Sequence, residues 1–258
     1  MRIDAHVHVG ASDTGQIYYG TLSGDEWLGL EAAAGIDRAV VFPPMMEGGY
    51  AASNAALRDW GAGQGGRIRV LARLGGARLP LAEPRPWLVR RALRRRLSRR
   101  PSDLPAGGLA GFAGVKLLPQ LDGIPGRRAF EEIADLRLPV LSHAGSFVPP
   151  RWLARAVLQR TAGPLVIAHL GAFPARADLL EEALDLALAE PRVWLDTSGI
   201  WEARLLARAA QRAPRKLIFG SDCPLTHPAV AYAQVERLVP DAGLMRRIGG
   251  EAALEIFG

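Results

Sequence analysis

The chain has 258 residues, 49% of them hydrophobic, enough for one barrel-sized core or two small domains, and no low-complexity linker divides it. Its single cysteine, Cys223, excludes an intrachain disulfide, and its longest apolar runs are strand-sized, too short for a transmembrane helix. A net charge of +6 raises nucleic acid as a partner, but no nucleic-acid motif or interleaved stacking aromatics accompany it.

In chain order, short apolar runs bounded by Gly, Pro or Asp occur at Ile3 to Val9, Ala39 to Phe42, Ile68 to Leu74, Ala113 to Leu118, Pro139 to His143, Leu165 to His169, Val193 to Asp196 and Leu217 to Phe219. They lack strict alternation and read as strands buried on both faces. Helix-period segments lie between them at Asp25 to Ala34, Ala51 to Gly61, Arg127 to Leu136, Pro150 to Arg160, Pro174 to Ala189, Trp201 to Arg212 and Pro228 to Leu238, with a closing helix near Leu244 to Ile256. Several open on proline, whose missing donor costs nothing in a first helical turn. Eight alternating strand and helix units of this length predict an α/β fold, a distorted (β/α)8 TIM barrel over residues 1-258. An open doubly wound sheet is the alternative, but no G-x-G-x-x-G turn follows the first strand.

The longest interval between strands, from Gly75 to Gly111, is read as a rim insertion of a helix plus an irregular segment. It holds the run RRALRRRLSRR, Arg90 to Arg100. Almost all basic residues are arginine, the lysines being only Lys116 and Lys216, so the run is read as a solvated helix face in an arginine-rich chain. The start MRIDAHVHVG has no hydrophobic signal region, and a cytoplasmic location is expected.

Four of the five histidines, His6, His8, His143 and His169, close strand-like runs, and a fifth such run, LIFGSDCP, ends on Asp222. Residues two apart on a strand face the same way, so His6 and His8 point inward together. Imidazoles and a carboxylate recurring at one end of parallel strands predict a divalent metal site, because these groups are the usual ligands for zinc and similar ions. Cys223 is expected to be a buried small residue rather than a nucleophile, and His227 a surface or cap residue. Arg73, ending the third strand, and Ser198, closing the seventh, are candidates to bind substrate; Asp196 is read either as a polar site residue or as a brace for a ligand histidine. Tyr18, Tyr19, Trp27 and Trp201 are read as substrate wall or ordinary packing.

The motifs IDAHVHVG, AGVKLLPQ, PVLSHAG, VIAHLGAF, VWLDTSG and IFGSDCP, in this order, resemble the amidohydrolase superfamily and its amidohydrolase 2 branch, which includes decarboxylases and a pyrone dicarboxylate lactonase. The resemblance implies His6, His8, His143 and Asp222 as ligands of a divalent metal, one Zn2+ in the first reading, with Mn2+ or another ion as alternatives. It implies His169 and Asp222 as catalytic proton carriers. Lys116 stands where two-metal relatives carry a bridging carboxylated lysine, so Lys116 and His169 are candidates for a second metal or for substrate, one metal being expected over two. Leu118 departs from the relatives' KLHP.

The implied activity is hydrolysis of a small amide, lactone or ester by a metal-activated water. Non-oxidative decarboxylation of an aromatic or unsaturated acid is the alternative, and a non-catalytic metal- or ligand-binding barrel ranks last. A TatD-like nuclease also opens on His-x-His, but such relatives typically carry glutamate where this chain has Lys116. Expected partners are a small-molecule substrate, carboxylate-bearing in one reading, with no nucleic acid and no membrane; a homodimer is left open.

Overall fold

The computed structural model describes residues 1–12, 21–46, 48–76 and 104–258. Its eight strands are β1 Ile3–His8, β2 Arg38–Phe42, β3 Ile68–Leu74, β4 Gly114–Leu117, β5 Val140–Ser142, β6 Leu165–Ile167, β7 Val193–Asp196 and β8 Leu217–Ile218. They form one sheet in sequential order β1 to β8, every pairing parallel. The sheet closes where Ala5 N donates to Phe219 O (3.0 Å), Asp222 N to His6 O (3.0 Å) and His8 N to Cys223 O (2.8 Å). The fold is therefore the expected (β/α)8 barrel. The expected rim insertion falls largely on residues 77–103, with the Arg90 to Arg100 run, outside the described residues, as do Tyr18 and Tyr19. No helix among the described residues is long and apolar enough to cross a membrane.

The two-sided burial read from the sequence has a layered cause. Val41, Val70, Ala72, Val115, Leu117, Leu165 and Leu195 belong to the large apolar cluster that also takes in the helices, whereas Ala5, Val40, Phe42, Leu71, Leu141, Val166, Trp194 and Ile218 form a separate cluster inside the barrel. Side chains alternate between the two clusters along each strand. The inner cluster is plugged from below by Ile256 and Phe257 of the last helix.

Strand β1 breaks this alternation at one point that matters for function. Ile3 and Ala5 lie in the inner cluster but so would Val7, which instead packs outside. The cause is a register shift against β2, where Asp4 pairs with Ala39 but Val7 with Val41. One extra residue in β1 reverses the parity, as a β-bulge does, and brings His6 and His8 to the inner face above Ala5.

The main helices are α1 Gly24–Ala34, α2 Ala51–Ala62, α3 Pro119–Asp122, α4 Arg127–Asp135, α5 Pro150–Ala156, α6 Ala177–Ala189, α7 Ala203–Arg212, α8 Pro228–Leu238, α9 Ala242–Arg246 and α10 Ala252–Phe257. Helix α1 starts at a capping box, Ser23 with Glu26, which satisfies first-turn donors. The helix expected over Pro150 to Arg160 ends at Ala156 instead, because Val157 leaves helical geometry (φ −119°, ψ −61°) before a short 3-10 turn. The closing helix is likewise interrupted by a π segment, Arg247–Glu251.

Strand β3 ends in a buried ion pair. Arg73 donates to Asp122 Oδ2 from Nε (3.0 Å) and Nη2 (2.9 Å) and to Pro43 O from Nη1 (3.2 Å), while Tyr50 Oη donates to Asp122 Oδ1 (2.9 Å). Both charged side chains have 0% exposure. Removing one partner of such a pair leaves an uncompensated buried charge. Asp122→Asn is therefore expected to lower unfolding free energy by about 3–5 kcal/mol in urea denaturation; a change under about 1 kcal/mol would show that the pair does not hold this end of the barrel.

Candidate metal centre

The strand ends place three of the predicted site residues in one buried group at the mouth. Donor atoms of His6, His8 and Asp222 lie within 4.8 Å of one another, all three residues buried. Asp222 Oδ1 is 3.3 Å from His6 Nε2 and 3.2 Å from His8 Nε2. Two imidazole nitrogens and one carboxylate oxygen converging in this way fit a divalent metal of the zinc class, with coordination positions left for other ligands.

Beneath this triad lies Asp196 of β7, with no exposed surface. Its Oδ2 accepts from His6 Nδ1 at 2.7 Å, and its Oδ1 accepts from the backbone N–H of His169 (3.0 Å) and of Ser198 (2.9 Å) and from the Ser198 hydroxyl. A carboxylate that takes the Nδ1 proton fixes the His6 tautomer and leaves its Nε2 lone pair for a ligand. Of the two sequence readings of Asp196, bracing is the one its contacts describe. Ser198 is also turned inward: it has 0% exposure, gives its proton to Asp196, and its oxygen stands 2.9 Å from His6 Nδ1 and 3.0 Å from His169 Nδ1.

His169 follows β6 in a left-handed conformation (φ 58°), as does Asp222 after β8 (φ 66°). Non-glycine residues held there carry local strain, which concentrates at functional positions. His169 Nδ1 is 3.0 Å from the Ser198 carbonyl oxygen. A carbonyl only accepts, so Nδ1 carries the proton and Nε2 has the basic lone pair. Gly199 permits this approach: at φ +61° it has no side chain, and a Cβ there would lie 2.9 Å from His169 Nδ1 and 3.0 Å from Asp222 Oδ2. His143, the fourth expected ligand, lies outside that triad, its ring 4.6 Å from that of His169.

Lys116, on the inner face of β4, places Nζ 3.0 Å from His6 Nε2 and 4.5 Å from the Phe42 ring centroid. Burial lowers its pKa to about 7, against the pull of Asp196 and Asp222. Arg73, paired with Lys116 in the strand register, was expected to offer its fork to substrate, but the fork is taken up by Asp122 and Pro43. This correction has a simple source: the partner, Asp122, sits on a short helix, α3, that no periodicity announced.

Burial also sets the other charges. It pushes His8 down to about 3 and lowers His6 and His143, so the imidazoles are neutral, the state a metal needs. Burial alone would raise Asp196 and Asp222, yet their contacts with His6, and for Asp222 with His8, hold both carboxyls below the usual range. Burial with Asp4 and Asp222 nearby raises Cys223 to about 12, which makes it the inert small residue expected. His227 is the N-cap of α8, its Nδ1 accepting from Ala229 N (3.2 Å). Trp27 is packing, with 0% exposure, whereas Trp201 is 68% exposed.

Sequence reasoning passed over Asp4, two residues before His6. Its Oδ1 accepts from the backbone N–H of His6 (3.1 Å) and of Ser221 (2.9 Å), tying β1 to the chain before Asp222, and burial raises its pKa to about 7. The pattern Asp-x-His-x-His was the available signal.

These shifts predict the acid response of the metal-free protein. The histidines have folded pKa values below 6.5, so the unfolded chain binds more protons as pH falls below that value and stability declines. Asp4, raised from 3.8 to about 7, acts in the opposite sense over the same window. Melting temperature should therefore fall as pH drops from 6.5 toward 4, and more steeply in Asp4→Asn. A variant with an unchanged slope would contradict the buried ionisable role of Asp4.

The model of the family described as amidohydrolase (Amidohydro_2) matches residues 3–258. No curated protein is significantly similar in sequence. Among solved structures, the chain is similar to a probable 2-pyrone-4,6-dicarboxylic acid hydrolase from Acinetobacter baumannii with citric acid bound (18% identity, 100% of this chain and 99% of that one, TM-score 0.67). It is similar to an amidohydrolase from Burkholderia multivorans with bound zinc (17%, 100% and 99%, TM-score 0.69) and to 2,6-dihydroxybenzoate decarboxylase from Rhizobium (14%, 99% and 98%, TM-score 0.60). At these identities the structures speak for the barrel, while the match over nearly the whole length speaks for descent: the chain belongs to the amidohydrolase family.

Proposed function

We propose that the protein is a metal-dependent hydrolase of a small amide, lactone or ester, with His6, His8 and Asp222 holding one divalent metal, zinc in the first instance, and His143 as a further ligand. The observation that carries this reading is the convergence of two imidazole nitrogens and a carboxylate oxygen within 4.8 Å in a buried, strand-end site. The relative from Burkholderia multivorans with bound zinc supports the choice of ion. When bound, such a metal lowers the pKa of water and polarises a carbonyl oxygen.

The chain's own residues supply the remainder. His169, with Nδ1 tied to the Ser198 carbonyl, presents Nε2 as the base that takes a proton from the attacking water and returns it to the leaving group. Asp222, ionised and in contact with both ligand histidines, is placed to share that proton traffic. Lys116 Nζ stands 3.0 Å from His6 Nε2, the atom that would hold the ion, and with that nitrogen so engaged the Lys116 side chain would be available to a substrate carboxylate. That assigns to Lys116 the anion-binding role expected of Arg73. A cytoplasmic small-molecule enzyme is the setting we infer.

Decarboxylation of an unsaturated acid is the second reading, favoured by the same buried cation beside the metal ligands and by the likeness to a dihydroxybenzoate decarboxylase. The two separate cleanly. The zinc-loaded enzyme, screened against lactones, amides and aromatic acids, is expected to hydrolyse a lactone or amide without releasing carbon dioxide, and His169→Asn to lower kcat by roughly 10²–10⁴-fold with zinc content unchanged. Carbon dioxide release without oxygen would move the assignment to the second reading; full activity in His169→Asn would remove His169 from the chemistry.

A further inference from the structure

Apart from Arg38 at its start, strand β2 is apolar, yet its last residue lies against three polar groups of the site. Phe42 pairs with His8 in the strand register, and its backbone oxygen accepts from Val9 N at 3.0 Å. Its side chain is fully buried in the inner cluster of the barrel. The ring centroid is 5.1 Å from that of His6 and 4.7 Å from that of His8, at interplanar angles of 68° and 77°. Lys116 Nζ lies over the same ring, 4.5 Å from its centroid.

These contacts follow from the bulge in β1. The extra residue turns both imidazoles inward, where the register sets them beside the inward side chain that ends β2. Both imidazoles meet the phenyl ring in the edge-to-face arrangement that aromatic pairs favour, while their own rings stand 5.5 Å apart and inclined at 46°. The hydrogen bond from His6 Nδ1 to Asp196 fixes a tautomer and a direction for that ring. The tilt of an imidazole about such a bond is set by what packs on its flank, and in a close-packed interior a ring held on several sides cannot turn without moving its neighbours.

From this arrangement we infer that Phe42 is a positioning residue for the metal: its ring sets the tilt of His6 and His8 so that both Nε2 atoms converge on the space beside Asp222 Oδ1. A flat, rigid side chain wedged against both imidazoles prepares the ligand atoms before the ion arrives, which is how the apolar shell of a metal site raises affinity. Leucine or methionine at the same point keeps the barrel apolar but leaves the imidazoles room to turn. The inference rests on the proposed function for the ligand triad alone and needs nothing from the hydrolytic step.

The test is the zinc affinity of the full chain, measured by competition with a chromogenic chelator. Phe42→Leu and Phe42→Met are expected to weaken zinc roughly 10- to 100-fold, the range lost when a group that orients metal ligands is removed. Replacing Phe42 by para-fluorophenylalanine, which keeps the ring, should preserve the wild-type affinity. Val40→Ala, two residues earlier on the same strand and in the same inner cluster, controls for lost packing: its melting temperature should fall while its zinc affinity stays at the wild-type value. The visible spectrum of the cobalt-substituted protein, which reports the geometry of the ligand atoms, should change in Phe42→Leu and not in Val40→Ala. Unchanged zinc affinity in the Phe42 variants, an equal loss in Val40→Ala, or Phe42 variants that fold neither with nor without zinc would overturn the inference, the last by making Phe42 a structural residue only. A wild type that takes up no zinc defeats the metal reading itself and shows before any variant is made. A zinc-loaded wild type without hydrolytic turnover defeats the hydrolase reading and leaves the zinc comparison standing.

Discussion

The site depends on one buried carboxylate. Asp196 accepts a hydrogen bond from His6 Nδ1 with one oxygen, and with the other accepts from the backbone N–H of His169 and from the backbone N–H and hydroxyl of Ser198. Strands β1, β6 and β7 meet at this residue. It orients His6 from below and anchors the peptide that carries His169, so the proposed metal ligands and the proposed base share a single support. The hydrogen-bonded carboxylate also keeps itself ionised, because its donors are worth most in the desolvated interior where they sit.

The balance of charge follows from the same burial. Neutral imidazoles beside ionised carboxylates form a cluster suited to a cation, and Lys116 reaches it through His6 Nε2. Taking that lysine out of water weakens its hold on its proton. Arg73, one strand away, keeps its charge out of this exchange by pairing with Asp122. Two inward cations on neighbouring strands therefore have opposite fates, one structural and one available.

Much of the molecule was legible in the sequence because its strands are buried on both faces and end at one rim. The eight apolar runs correspond to β1 to β8, since doubly buried parallel strands need continuous apolar residues. His6, His8, His169 and Asp222 were legible as strand-end polar residues after such runs. What escaped depended on contacts between distant segments. The partner of Arg73 sits on a four-residue helix, too short to have a period. Asp4 drew no reading, because its role in tying His6 to Ser221 needs the closed barrel to exist. The parity change in β1 is hidden because Ile3, Ala5 and Val7 alternate regularly in sequence, although the bulge sends Val7 outward.

The proposed chemistry requires a metal at His6, His8 and Asp222. Anomalous diffraction at the zinc edge from crystals of the zinc-loaded protein tests this most directly. The expected result is a single strong peak with nitrogen ligands from His6 and His8 at about 2.0–2.1 Å and an oxygen of Asp222 at about 2.0–2.2 Å. A fully loaded protein whose anomalous peak lies away from these three residues, or one that takes up no zinc, would contradict it.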